Sequence, residues 1–100
     1  MPRYRRGRRR GKRRVGWSPV ERIFSPGDEG SEQQVILRIE EVETLRLVDL
    51  LNYTQERAAM EMGVSRKTLW KDLKGARKKV AEALTQGKQI KIEGGSYTLK

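Results

Sequence analysis

Residues Tyr53 to Leu84 read YTQERAAMEMGVSRKTLWKDLKGARKKVAEAL, the outline of a short helix, a four-residue turn and a long basic helix. Thr54 has the hydroxyl of an N-cap, able to accept from a free amide of the first turn. Glu56 puts negative charge at the positive end of the helix dipole. Ala58, Ala59 and Met62 recur at helical spacing and form one apolar edge, with alanines small enough for a second helix to cross closely. Gly63 tolerates the left-handed conformation that ends a helix; two residues later Ser65 is placed to cap the next one, with Val64 plugging the corner.

In the second helix Leu69, Leu73, Ala76, Val80, Ala83 and Leu84 fall within roughly a third of the circumference at about 100° per residue, and this face is expected in the core. Lys67, Lys71, Lys74 and Lys78 lie opposite, flanked by Arg66, Trp70 and Arg77, and Asp72 is the only acid between Gly63 and Ala81. A lysine row opposite an apolar stripe is, taken alone, an ordinary solvated face. Behind an alanine-rich helix and a Gly-Val-Ser turn, with no balancing acids, it reads as a helix-turn-helix whose second helix enters the major groove of DNA by its N-terminal half. Ser65, Arg66, Lys67, Trp70, Lys71 and Lys74 are then the groove-facing positions. Arg66 and Lys67 are candidates for guanine edges, and Trp70 for a thymine methyl or sugar, with packing at the helix flank as its structural alternative. Thr54, Gln55, Arg77 and Lys78 suit phosphates, which give affinity without sequence information, and Lys71 and Lys74 can serve there too.

Charge is segregated along the chain. Met1 to Arg14 holds nine bases and no acid, Val15 to Met62 four bases and ten acids, and Gly63 to Lys100 ten bases and three acids, within a chain of formal net charge +10. Two cationic ends around an acidic middle point to two contacts with a polyanion. The arm 1–14 contributes Arg3, Arg5, Arg6, Arg8, Arg9, Arg10, Lys12, Arg13 and Arg14. It is interrupted by Gly7 and Gly11, has only Tyr4 to fold with, and is expected to be disordered in isolation. Such an arm can lie along phosphates or enter a minor groove, and it also has the composition of arginine-rich RNA binders.

Residues 15–38 are expected to be extended, bent at Pro19, Pro26 and Gly27, with Trp17, Ile23 and Phe24 docked on the helical core or, alternatively, forming an exposed partner site. An acidic loop, Asp28 to Glu32, follows, and Val35 to Leu37 suits a strand. From Glu40 to Leu51 a helix carries Val42, Leu45, Leu47, Val48, Leu50 and Leu51, too many for one stripe, so it must be covered on two sides by other parts of the chain or by a second protomer. After residues 39–86 and the stop at Gly87, segment 87–100 alternates as a small C-terminal β-hairpin around Glu93 to Ser96, resting on the helices or extending a sheet with Val35 to Leu37. The fold expected is mainly α: a helix-turn-helix with a basic arm and a C-terminal hairpin.

One hundred residues suit one small core without a large cleft. The sequence has no cysteine and no histidine, which removes disulfides, zinc ribbons and histidine acid-base chemistry, so no metal or cofactor is expected. The acids Glu40, Glu41 and Glu43 read as a helix start rather than a catalytic pair, and no enzyme is expected. No apolar run approaches the roughly 18 residues of a membrane span, and the arm lacks the apolar core of a secretory signal; a cytoplasmic, nucleoid-associated protein is expected.

With these residues in hand, the chain resembles an uncharacterised family of small bacterial and archaeal proteins described as predicted DNA-binding. That family's helix-turn-helix is similar to region four of sigma-70 factors. The resemblance rests on Glu41 to Leu50, Gln55 to Val64, Ser65 to Thr68, Ala76 to Leu84, Gly87-Lys88 and Ile92 to Gly95, with Arg14-Val15, Pro19, Phe24 and Pro26 near the start. It implies sequence-directed binding of double-stranded DNA and transcriptional regulation. Relatives often carry a cysteine in the segment that here reads Arg13-Arg14-Val15-Gly16-Trp17, so no metal or redox role is transferred. Two other partners stay open: RNA through the arm, and RNA polymerase through the acidic, apolar stretch Glu40 to Leu51. A homodimer placing two helices in successive grooves is one arrangement and a monomer the other.

Overall fold

The computed structural model describes residues 12–17, 22–27 and 32–99. Strands β1 (Arg13–Val15), β2 (Arg22–Phe24) and β3 (Gln34–Leu37) precede helix α1 (Ile39–Thr44), which runs directly into a π-helical stretch (Leu45–Leu50). Helices α2 (Gln55–Met62) and α3 (Arg66–Gln86) follow, then strands β4 (Gln89–Ile92) and β5 (Tyr97–Leu99). The described residues thus form an α/β protein with three helices and short strands. Arg3, Arg5, Arg6, Arg8, Arg9, Arg10, Pro19 and loop residues 28–31 lie outside the described residues.

The local signals around the turn act as their chemistry dictates. Thr54 Oγ1 accepts from the Arg57 amide at 3.0 Å and Ser65 Oγ from the Thr68 amide at 3.0 Å. Each satisfies an amide with no partner inside its helix. Gly63 ends α2 at φ 70°, and the turn is three residues, Gly63 to Ser65, one shorter than expected.

The expected C-terminal hairpin does not form. β4 instead lies at the centre of a three-stranded sheet, antiparallel to β2 and parallel to β3, with Ile90 beside Phe24 and Val35 and Ile92 beside Leu37. β5 pairs in parallel with β1. The turn between β4 and β5 fails to close a hairpin because it wraps the start of α1. Gly94 O accepts from the Ile39 amide at 3.0 Å, and the Ser96 amide donates to Glu40 Oε1 at 3.1 Å. Alternation alone identifies a strand but not its partner.

Two apolar clusters hold the chain. Val15, Leu37, Ile39, Ala76 and Ile92 join sheet and α3, with Trp17, Val42, Leu45, Val80, Ile90 and Tyr97 packed around them. Leu47, Ala58, Ala59, Met62 and Leu69 join the helices. The helical segment 39–50 serves both clusters, which accounts for four of its apolar residues: Val42 and Leu45 face the first cluster, Leu47 and Val48 the second. Its π-helical end closes with the Leu51 amide donating to Arg46 O at 2.9 Å, a winding that apolar periodicity does not announce.

Five residues expected to be covered are exposed, among them Leu50 and Leu51, where the π-helical stretch ends. Ile23 is 58% exposed because it points to the outer face of the sheet with Ile36, and Phe24 is 53% exposed because it stands at the sheet edge. Leu84 is 75% exposed. It lies about 70° from the middle of the buried stripe, in the last turn of α3.

Gly95 is required where it stands. Its φ is +113°, and a Cβ there would lie 2.1 Å from Glu40 Oε1, on a carboxylate that is buried and already held by Ser96. Gly95→Ala is expected to cost about 1–3 kcal/mol, read as a lower urea midpoint at unchanged slope.

Candidate nucleic-acid interface

α3 separates charge from core around its axis. Arg66, Lys67, Trp70, Lys71, Lys74, Arg77 and Lys78 are all exposed, while Leu69, Asp72, Leu73, Ala76 and Ala83 are buried. At about 100° per residue the first set spans roughly 140° and the second an arc opposite it. Trp70 is 44% exposed and, at about 100° per residue, falls within the arc of the cationic face.

The cations divide by partner. Arg77 donates to Asp49 through Nη2 at 2.7 Å and Nε at 3.2 Å, which keeps its guanidinium pKa above its ordinary value and ties α3 to the π-helical stretch. Lys79 Nζ turns inward to Glu41 Oε1 at 2.8 Å. Lys88 donates to Glu82, and that hydrogen bond holds the Glu82 carboxyl below its usual range. Arg66, Lys67, Lys71 and Lys74 make no ion pair among the described residues. Four cations therefore face solvent together on the first three turns of α3.

The start of α3 sharpens this. Its first turn contains no acid, so Arg66 and Lys67 sit at the positive end of the helix dipole. That placement is unfavourable by about 0.3–1 kcal/mol per charge in the free chain, and an anion docked there relieves it. A hollow of about 350 Å³ lined by Gly63, Val64, Ser65 and Thr68 opens beside it. The Ser65 and Thr54 hydroxyls are engaged as caps, so neither oxygen is idle; Gln55 is half-buried.

The arm ends earlier than its composition suggests. Lys12 is exposed, but Arg13 and Arg14 belong to β1. Arg13 grips Asp72 through Nε at 3.0 Å and Nη2 at 3.3 Å. Arg14 Nη2 donates to Met60 O at 2.9 Å and its Nε to Glu61 O at 3.3 Å. These are carbonyls at the C-terminal end of α2, where a cation is favoured. Both arginines are thus parts of the fold rather than of a disordered arm; the signal in the sequence was their position immediately before the apolar Val15.

A buried ionic network was also missed. Glu40, Glu41, Glu43 and Asp72 are each at most 4% exposed. Arg38 reaches Glu40 and Glu41 at 3.4 Å, Arg46 Nε donates to Glu43 Oε1 at 2.7 Å, and the Gly16 amide donates to Glu43 Oε2 at 2.9 Å. Burial pushes the Glu41 carboxyl up, but hydrogen bonds from Lys79 and from the Arg38 backbone and side chain outweigh it and hold it below the usual carboxylate range. These acids are structural anchors. Of the acids in the Glu40 to Leu51 stretch only Asp49 is exposed, so the acidic surface expected to meet RNA polymerase is largely internal. No described helix is long and apolar enough to cross a membrane.

These features define a small α/β protein with a cationic helix face standing clear of its core. The chain belongs to the family described as "Protein of unknown function DUF134", which matches residues 1–100. It is 46% identical over 99 residues to a UPF0251 protein of Methanococcus maripaludis strain C7, covering 97% of this chain and 76% of that one. It is 49% identical over 94 residues to a UPF0251 protein of Methanosarcina acetivorans, covering 92% and 84%. With a UPF0251 protein of Caldicellulosiruptor bescii it shares 52% identity over 85 residues, covering 85% and 60%. The family thus spans archaea and bacteria. No solved structure matches the chain.

Proposed function

We propose that this protein binds double-stranded DNA in a sequence-directed manner and regulates transcription. In this reading α2, the Gly63 to Ser65 turn and α3 form a helix-turn-helix similar to region four of sigma-70 factors, with the N-terminal half of α3 in the major groove. The observation that carries it is the set Arg66, Lys67, Lys71 and Lys74, unpaired among the described residues together with Lys78, on one face of a helix whose Arg77 and Lys79 are drawn to acids. Arg66 and Lys67, nearest the tip, read base edges; Trp70 presses on a thymine methyl or sugar; Lys71, Lys74 and Lys78 hold phosphates. Arg77 is a weaker phosphate contact, since Asp49 already neutralises it. The protein acts at the nucleoid, in the cytoplasm.

Titration of binding to one duplex over a range of salt concentrations tests the phosphate assignment. Lys78→Ala is expected to weaken all duplexes alike and to reduce the slope of log affinity against log salt by about 0.9. Arg77→Ala changes it less. A Lys78→Ala slope equal to the wild type removes that residue from the interface.

A further inference from the structure

One cation of the α3 face is already occupied. At about 100° per residue Arg77 falls between Arg66 and Trp70 on the cationic arc, at the edge next to the buried Leu73, and lies about two turns, roughly 10 Å, beyond Trp70 along the axis. At that edge the π-helical stretch presents Asp49. Its two oxygens accept from Arg77 Nη2 at 2.7 Å and Nε at 3.2 Å, the paired geometry in which a guanidinium also takes a phosphate. Among the described residues no other acid forms an ion pair within this arc, and the Asp49 carboxylate bonds to no other group. The two side chains are 44% and 42% exposed, so the pair stands in water, where it is weak and free to part.

We propose that Asp49 is a residue of the DNA interface, a carboxylate that stands in for a phosphate on Arg77 and gives way to one when a duplex docks. This rests on the DNA-binding reading above and adds what limits its strength. In the free chain the pair is neutral, and Arg66, Lys67, Lys71, Lys74 and Lys78 carry the charge of the face without it. A phosphate that reaches the Nε and Nη2 edge of Arg77 must displace Asp49. The displaced carboxylate then stands as an unpaired negative charge beside the DNA backbone, and this repulsion offsets the new contact. Phosphates carry no sequence information, so the penalty is the same on every duplex. Asp49 thus sets how tightly any duplex is held, and the choice among sequences stays with the residues nearer the tip of α3.

The test compares the full chain with Asp49→Asn, Arg77→Ala and the double variant on two duplexes of unrelated sequence over a range of salt concentrations. Asparagine keeps the shape of Asp49 and removes its charge, and both positions are exposed, so the four proteins are expected to share one helical circular dichroism spectrum. Asp49→Asn is expected to bind both duplexes at least about threefold more tightly at low salt, by the same factor, with a salt slope steeper by about 0.9. Arg77→Ala is expected to remove that gain in the Asp49→Asn background and to cost less than half as much, in log affinity and in slope, in the wild type. An equal cost in both backgrounds would mean two charges acting independently, and weaker binding by Asp49→Asn would make Asp49 a support that aims Arg77; either overturns the exchange. A gain on one duplex alone, or none on either, overturns it too and leaves the DNA-binding reading standing. Duplexes left unbound by all four proteins even at low salt would sink both.

Discussion

Replacing Glu41 by alanine is expected to remove about 3–5 kcal/mol of stability, a large fraction of what a domain of this size holds, and to lower Tm by at least about 12 °C. Glu41 is 2% exposed and joins three segments. One oxygen accepts from the Arg38 amide at 2.9 Å, at the start of α1, and from Lys79 on α3; the other faces Arg38 and lies 3.2 Å from where a Cβ on Gly75 would stand. Removing the carboxylate leaves an orphaned amide at a helix start, a Lys79 ammonium without its partner and a void where α1 crosses α3, while Arg38 keeps Glu40. The protonation state gives an independent check. The Glu41 pKa is lowered in the fold, so its contribution is complete above the ordinary carboxylate range and is lost as pH falls through its own lower value. Chemical denaturation measured from neutral pH down into that range should show wild-type stability falling on the acid side and Glu41→Gln showing a flatter fall. Parallel curves would remove Glu41 from the linkage.

Substitution at the tip of α3 should act on DNA preference while sparing the fold. Arg66 and Lys67 are exposed, bond to no other described side chain and start a helix already capped by Ser65, so their alanine variants should unfold within about 0.5 kcal/mol of wild type. Removing two cations from the positive end of the dipole even favours the free helix slightly. On DNA the effect runs the other way. Each bidentate guanine contact is worth about 1–3 kcal/mol of discrimination, so Arg66→Ala with Lys67→Ala is expected to reduce the ratio between preferred and scrambled duplexes by roughly 30-fold or more. Competition binding at fixed salt measures that ratio. A uniform loss on all duplexes would make both residues phosphate contacts only.

How far these residues could be read in advance depended on the distance over which their causes act. Thr54, Gly63 and Ser65 were legible because a cap is decided within four residues. The faces of α3 were legible because helical period alone separates Leu69 and Leu73 from Lys67 and Lys71. The pairing of β4 with Val35 to Leu37 was one of the two placements open to it, but the loss of the hairpin and the pairings with β2 and of β5 with β1 were not legible, since Ile90 and Ile92 alternate identically in a hairpin and in a sheet. Nor were the buried carboxylates: Asp72 finds Arg13 across 59 positions and Glu41 finds Lys79 across 38. In the sequence Glu41 is one of several acids at a helix start and Arg13 one more residue in an arginine run. Only the closed fold distinguishes an anchor from a solvated charge. Leu84 continues the apolar spacing but lies where the helix has run past its cover.

Selecting bound duplexes from a random DNA pool at about physiological salt, where charge alone no longer dominates, decides whether α3 reads bases. The expected result is an enriched motif that disappears for the Arg66→Ala, Lys67→Ala variant, with a symmetric motif reporting a dimer and an asymmetric one a monomer. A pool that stays random, with binding that collapses steeply as salt rises, would contradict it and leave the cationic faces to nonspecific contact.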